Sequence, residues 1–221
     1  MDWAELGRTI QPWASLLGIL LTTFAVFIAA RSLRLTLRTN RAKFAFDLTE
    51  SFLKEDKIKS FWARLNYDVG PDAWVFDLSK FRHSEDEKYI DTILYKFMPI
   101  GHMIRSRVIV ARDVNSLYFM CRQVFHNLQV REYLRFVQID TFMADGLVGL
   151  HFEDALYCYE QMTLWAVKTG YAGKAELNDC RTFIAELRTL HQDPELRQTI
   201  SKRIGYAPRS AIMQISEEDR K

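Results

Sequence analysis

The chain has 221 residues, 48% hydrophobic and 26% charged, with a formal net charge of +2. That near-neutral balance argues against bulk nucleic-acid binding, because the basic excess is concentrated in one short segment, Arg31 to Lys43. With 9 glycines and 5 prolines the turn chemistry of an all-β chain is missing. Cys121, Cys158 and Cys180 are far apart with no close pair, which indicates reduced thiols rather than a zinc site or a disulfide framework.

Residues 1–12 are expected to form a short leader outside the cytoplasm, and Trp13 to Ala30, WASLLGILLTTFAVFIAA, is an uncharged run. As a helix it is about 27 Å long, close to the hydrocarbon thickness of a bilayer. Pro12 stands just before it, where a missing N–H costs little at a helix start. Arg31, Arg34, Arg38, Arg41 and Lys43 follow directly, so the positive-inside rule orients the leader outward and everything after Ala30 into the cytoplasm. The same cations suit anionic lipid head groups; a docking strip for an acidic partner is the second reading. A cleaved signal peptide would have a basic start and a shorter apolar middle, whereas here Asp2 and Glu5 outnumber Arg8. A buried helix of a soluble core is disfavoured by the uninterrupted apolar length.

Within the span, Ala14, Gly18, Thr22, Ala25 and Ala29 share an arc of about 80° when each residue turns the helix by about 100°. Small residues on one face let two helices approach closely in lipid, and Thr22 can add an interhelical hydrogen bond.

Past Arg31 the apolar positions Leu33, Leu37, Phe44, Leu48, Ile58, Trp62 and Leu65 keep to one face, an amphipathic stalk over residues 31–67. Unbroken, the helix from Trp13 to Tyr67 measures about 80 Å. Thr39-Asn40, both weak helix formers, is the place where it can break. Gly70-Pro71-Asp72 ends it, and Trp74, Phe76 and Phe81 anchor a connector.

A helical domain follows over residues 68–205. Ser84 with Glu87 forms a capping box for a helix carrying Ile90, Ile93, Leu94 and Phe97, which Pro99 kinks and Gly101 loosens. Further helices start at Asp113, pass through Tyr133 and Phe136 to Gly146, run from His151 to Gly170, carry Leu177 to His191 on one face, and open at Asp193-Pro194 to stop at Gly205. Tyr206 to Lys221 has no periodicity and reads as a mobile tail. The fold class is therefore all-α: one N-terminal transmembrane helix continuing into a stalk, then a bundle of about five or six helices.

Of the histidines only His151 has company, with Asp154, Cys158 and Gln161 at i+3, i+7 and i+10 on one helix face. Imidazole, carboxylate and thiolate in line are what a metal edge or a Cys and His pair requires, but no second cluster supplies the other ligands. His102 and His126 read as ordinary polar positions near helix ends, and Trp62, Trp74 and Trp165 as core. No Ser elbow, phosphate-cradling Gly loop or HExxH is present, so no cofactor and no catalytic activity is expected.

Arg38-Thr39-Asn40-Arg41-Ala42-Lys43 with Phe46-Asp47-Leu48, the helix Tyr89 to Met98, and the Arg-containing Arg105 to Asp113 give the chain a family likeness. It resembles a loosely defined bacterial family of unknown function with one N-terminal span, an Arg-rich exit helix and a helical cytoplasmic domain. Small anchored proteins of this architecture are similar to effectors and regulators in bacterial stress and phage defence. The expected function is that of a single-pass inner-membrane protein that self-associates and binds or senses a cytoplasmic protein or other component. The alternatives are a monomeric tether recruiting a soluble partner and a membrane-anchored hydrolase using His151 and Cys158.

Overall fold

The computed structural model describes residues 3–54, 56–65, 74–82, 84–146 and 149–206, those at 3–15, 38, 42, 45, 49, 52, 53 and 57 as backbone only. The regular elements are helices, with no strand among the described residues: α1 (Trp3–Leu53), α2 (Asp56–Leu65), α3 (Leu78–Phe81), α4 (Glu85–Arg105), a 3-10 segment (Ala111–Leu117), α5 (Tyr118–His126), α6 (Leu128–Asp145), α7 (Glu153–Thr169), α8 (Lys174–Thr189) and α9 (Pro194–Ile204). Two compact units divide the chain, Met1–Phe46 and Asp47–Lys221.

In the first unit α1 begins at Trp3, well ahead of the start expected after Pro12. Ala4, Glu5 and Leu6 are strong helix formers, and the helix continues through Pro12 despite the bond to the Arg8 carbonyl that proline cannot make. No break occurs at Thr39-Asn40: the Thr39 hydroxyl donates to the Leu35 carbonyl at 3.1 Å, which satisfies it inside the helix. Thr36 does the same to Ser32 at 3.0 Å.

The second unit corrects the stalk. Its helix does not reach Tyr67 unbroken but ends at Leu53, with a bend at Lys54; Glu55, Asn66 and Tyr67 lie outside the described residues, as do Gly70-Pro71-Asp72. Ser51 marks the end. Its hydroxyl donates to the Leu48 carbonyl at 2.7 Å, and its own carbonyl accepts from Lys96 Nζ of α4 at 2.5 Å, a partner the next helical turn would otherwise have supplied. Helix α2 then buries Ile58, Phe61, Trp62 and Leu65. Arg64 holds Asp86 of α4 with two bonds of 2.8 and 2.9 Å, Trp62 Nε1 donates to Gln123 at 2.9 Å, and Asn127 Nδ2 donates to the Leu65 carbonyl at 3.0 Å. The apolar stripe is thus covered by this unit over Ile58 to Leu65, whereas Leu33 and Leu37 are exposed.

Helix starts follow the local chemistry. Ser84 Oγ accepts from Glu87 N at 3.2 Å, Asn127 Oδ1 from Gln129 N and Val130 N, and Asp193 Oδ1 from Leu196 N at 2.9 Å with Pro194 in the first turn. Helix α7 stops at Gly170 and α9 at Gly205, whose φ values of 81° and 70° favour glycine. The connector anchors Trp74 and Phe81 are buried, and their rings meet edge-to-face at 5.6 Å. Tyr206, expected in the tail, is tied down: its hydroxyl donates to Asp140 at 3.2 Å and its ring lies 5.9 Å from Phe136. Residues 207–221 lie outside the described residues.

The closest packing is between α4 and α7. Helix α4 passes through Pro99 without ending, because Pro99 and Tyr95, whose carbonyl loses the bond, are on its exposed side. Gly101 does not loosen it. A Cβ there would lie 1.7 Å from the Asp154 carbonyl oxygen, so the two backbones touch where the side chain is missing. Around this crossing Ile93, Leu94, Phe97 and Ile100 bury against the layer containing Ala155, Leu156, Tyr159 and Met162.

Replacing Gly101 with alanine forces the backbones apart, and we expect a loss of about 2–4 kcal/mol. Gly173→Ala, where a Cβ meets nothing within 4 Å, is the matched control and stays within about 0.5 kcal/mol. Urea unfolding of the two variants checks this; equal midpoints would contradict it.

Candidate functional site

In the first unit the side chains from Leu16 to Leu37 are all exposed. The apolar helix over Leu16–Leu48 has a mean hydropathy of 2.0 in its best window, none of it buried, and is long and apolar enough to cross a membrane. Gly18, Thr22, Ala25 and Ala29 lie along it without a covering partner, and a Cβ on Gly18 would meet nothing within 4 Å. Thr22 differs from the expectation. Its hydroxyl donates to the Gly18 carbonyl at 2.8 Å, so its proton is spent within the helix and only its lone pairs face outward. Arg31, Arg34 and Lys43 are exposed and Arg41 is half-buried, while the side chains of Ala14 and Arg38 lie outside the described residues.

In the second unit the sequence cluster of His151, Asp154 and Cys158 comes apart. His151 lies in the turn before α7, where its Nδ1 is 3.3 Å from the Thr141 hydroxyl and its backbone N–H donates to Gln138 at 3.1 Å. Asp154 faces the end of α4, pairing with Arg105 at 3.2 Å and standing 3.6 Å from His102. Cys158 is buried against Met162 Sδ at 3.8 Å. The three side chains thus meet different neighbours: His151 meets α6, Asp154 meets α4 and Cys158 meets a residue of α7 itself. Among the described residues no group of three His, Cys, Asp or Glu side chains is arranged to hold a metal ion.

Tertiary packing creates two groupings that spacing alone does not reveal. All three cysteines are buried in one core region: burial pushes the Cys121 thiol up, with Cys158 and Cys180 adding to it, and pushes Cys180 up to about 12. Cys121 and Cys180 are therefore held as thiols, and all three side chains are buried. The second grouping joins Asp91 of α4, Tyr133 of α6 and His151. The Tyr133 hydroxyl donates to the Asp91 carboxylate. Burial pushes Asp91 up, with Glu87 reinforcing it, while the Tyr133 bond and His151 oppose the shift. Burial pushes His151 down against the pull of Asp91 and Asp145. Aromatic residues do not reveal such a pair by spacing, because the partners come from helices remote in sequence.

Two concavities lie on the described surface of this unit. One, of about 330 Å³, lies between α6 and α9 and is lined by Ile139, Met143, Pro194, Arg197 and Tyr206. The other, of about 290 Å³, is framed by Val75, Asp77, Lys80, Phe81 and Asp86. Neither brings together a nucleophile, a base and a charge-stabilising group. No family model, curated protein or solved structure matches the chain.

His151 and His126 are both held below the ordinary value of 6.5, chiefly by burial. Their contribution to stability is present above that value and is lost as the pH falls through it toward their folded values, since the unfolded chain takes up protons first. Thermal melts between about pH 7.5 and 5.5 should show stability falling with pH, with a shallower slope in His151→Gln. An unchanged slope in that variant would contradict this.

Proposed function

We propose that the chain is a single-pass membrane protein of the bacterial inner membrane, its N-terminus outside, and that it self-associates through α1 while its C-terminal helical unit binds another component in the cytoplasm. The observation that carries the reading is that the large apolar side chains from Leu16 to Ile28, including Phe24 and Phe27, are all exposed, which a water-facing helix cannot sustain. Lipid is the solvent that suits them. Arg31, Arg34, Arg38, Arg41 and Lys43 then set the orientation and meet the head groups of the cytoplasmic leaflet.

Self-association rests on the face of Gly18, Ala25 and Ala29, which offers backbone contact to a second helix. Because the Thr22 proton is used within the helix, close packing rather than a donated hydrogen bond drives the pairing. The burial of the thiols and the different neighbours of His151, Asp154 and Cys158 favour a binding protein over a membrane-anchored hydrolase.

Leucine at Gly18 and Ala25 keeps the span apolar and blocks close approach. The double variant should lower the association constant roughly tenfold, equivalent to about 1.4 kcal/mol. Sedimentation equilibrium in mild detergent reads this, and a strictly monomeric unsubstituted protein there and in bilayers would establish the monomeric tether instead. A reporter fused after Lys221 should be active only in the cytoplasm; periplasmic activity would overturn the orientation.

A further inference from the structure

The turn between α4 and the 3-10 segment points to a second contact with lipid. Here the sequence Arg105-Ser106-Arg107-Val108-Ile109-Val110-Ala111-Arg112 alternates in exposure: Ile109 is 3% exposed, but Val108 on one side is 57% and Val110 on the other is 47% exposed. Two β-branched side chains therefore face water while the residue between them anchors the turn in the core.

The turn is fixed by its backbone. Val108 N and Ile109 N both donate to the Met103 carbonyl, at 2.9 and 3.3 Å, and Arg107 N donates to the Ile104 carbonyl at 3.1 Å. On the far side Val110 N donates to the Asp113 carboxylate at 3.1 Å, and Asp113 N returns a bond to the Val110 carbonyl at 2.8 Å. Arg107 has a φ of 61°, in the left-handed region that a residue with a side chain enters at a cost.

The charges frame the apolar tip. Arg105 is engaged by Glu153 and Asp154, at 3.4 and 3.2 Å, and lies 4.9 Å from the Tyr157 ring centre. Arg107 and Arg112 are exposed and have no ion-pair partner among the described residues. Two free guanidiniums bracketing two exposed valines on a rigid turn match the layering of a membrane interface, with phosphate at the level of the cations and acyl chains at the level of the aliphatic groups. A soluble acidic partner would satisfy the cations but not the valines.

We propose that the Arg107 to Arg112 turn docks on an anionic bilayer surface, inserting Val108 and Val110 between head groups whose phosphates pair with Arg107 and Arg112. The inference gains from the reading of α1 as a membrane anchor, since a tethered unit meets that surface at high effective concentration. Docking strengthens with anionic lipid and weakens with salt.

The buried state of the three native thiols allows a cysteine placed at Val108 to be labelled selectively with an environment-sensitive dye. The full chain is reconstituted into vesicles of phosphatidylcholine, with or without phosphatidylglycerol, and flotation is measured alongside dye emission and quenching by neutral acrylamide. With phosphatidylglycerol the emission should shift to the blue and quenching should fall; both effects should be lost in high salt. R107Q/R112Q should reduce the docked-to-undocked ratio roughly twenty-five-fold, at about fivefold per arginine on an anionic surface. Flotation with both vesicles but unchanged emission would overturn this proposal alone. Flotation only with phosphatidylglycerol would support it while overturning the spanning anchor, and no flotation would overturn both. Shielding that persists in detergent would also overturn it, by showing that protein covers the turn.

Discussion

The contact between Gly101 and the Asp154 carbonyl is the constraint on which the C-terminal unit depends, because it sets how near α4 and α7 can come. With the backbones that close, the layers around Phe97 and Tyr159 close too, and the Phe125 and Tyr159 rings stack 4.9 Å apart with an interplanar angle of 15°. Arg105 from the end of α4 then pairs with Glu153 and Asp154 in the first turn of α7, a placement in which the arginine and the carboxylates each complement the helix end that carries them, and His102 lies 3.6 Å from Asp154. A larger residue at Gly101 would disturb all of this at once, since a packed interior transmits a displacement rather than absorbing it.

Outside that crossing the unit is held by arginine forks over aromatic rings. Arg131 reaches Asp179 at 3.1 and 2.5 Å, and Arg135 reaches Glu186 at 2.7 Å through two nitrogens; both guanidiniums cover the Phe183 ring. Such bidentate pairs restrict geometry more than single contacts do, and they fix α8 against α6. Arg64 performs the same task for α2 against α4. These polar groups are therefore committed to holding helices in register.

What the sequence disclosed and what it concealed divide along the range of the interaction. Ser84 with Glu87, Asp193 with Pro194, and the stops at Gly170 and Gly205 act within a few residues, so their roles are readable from spacing. The all-helical class and the apolar α1 follow from periodicity and length in the same way. Gly101 reads as looseness in the sequence because its neighbour, Asp154, is remote in the chain. Distance also hid the docking of α2, which hangs on Gln123 and Asn127, and the pairing of Asp91 with Tyr133. In α1 the spacing of Gly18, Thr22, Ala25 and Ala29 is readable from the sequence, but the state of the Thr22 hydroxyl is not, since a threonine in a helix can donate either to its own backbone or outward.

These strands meet in α1, whose exposed apolar surface is long and apolar enough to cross a membrane. The most direct test is thiol accessibility in sealed native membranes, with single cysteines placed at Ile19, Phe24, Phe27 and Phe46 and a maleimide too polar to enter the bilayer. The account predicts that the first three stay unreactive while the position at Phe46, past the basic exit, is labelled once the cytoplasmic side is opened. Labelling at Phe24 and Phe27 as fast as at Phe46 would contradict it.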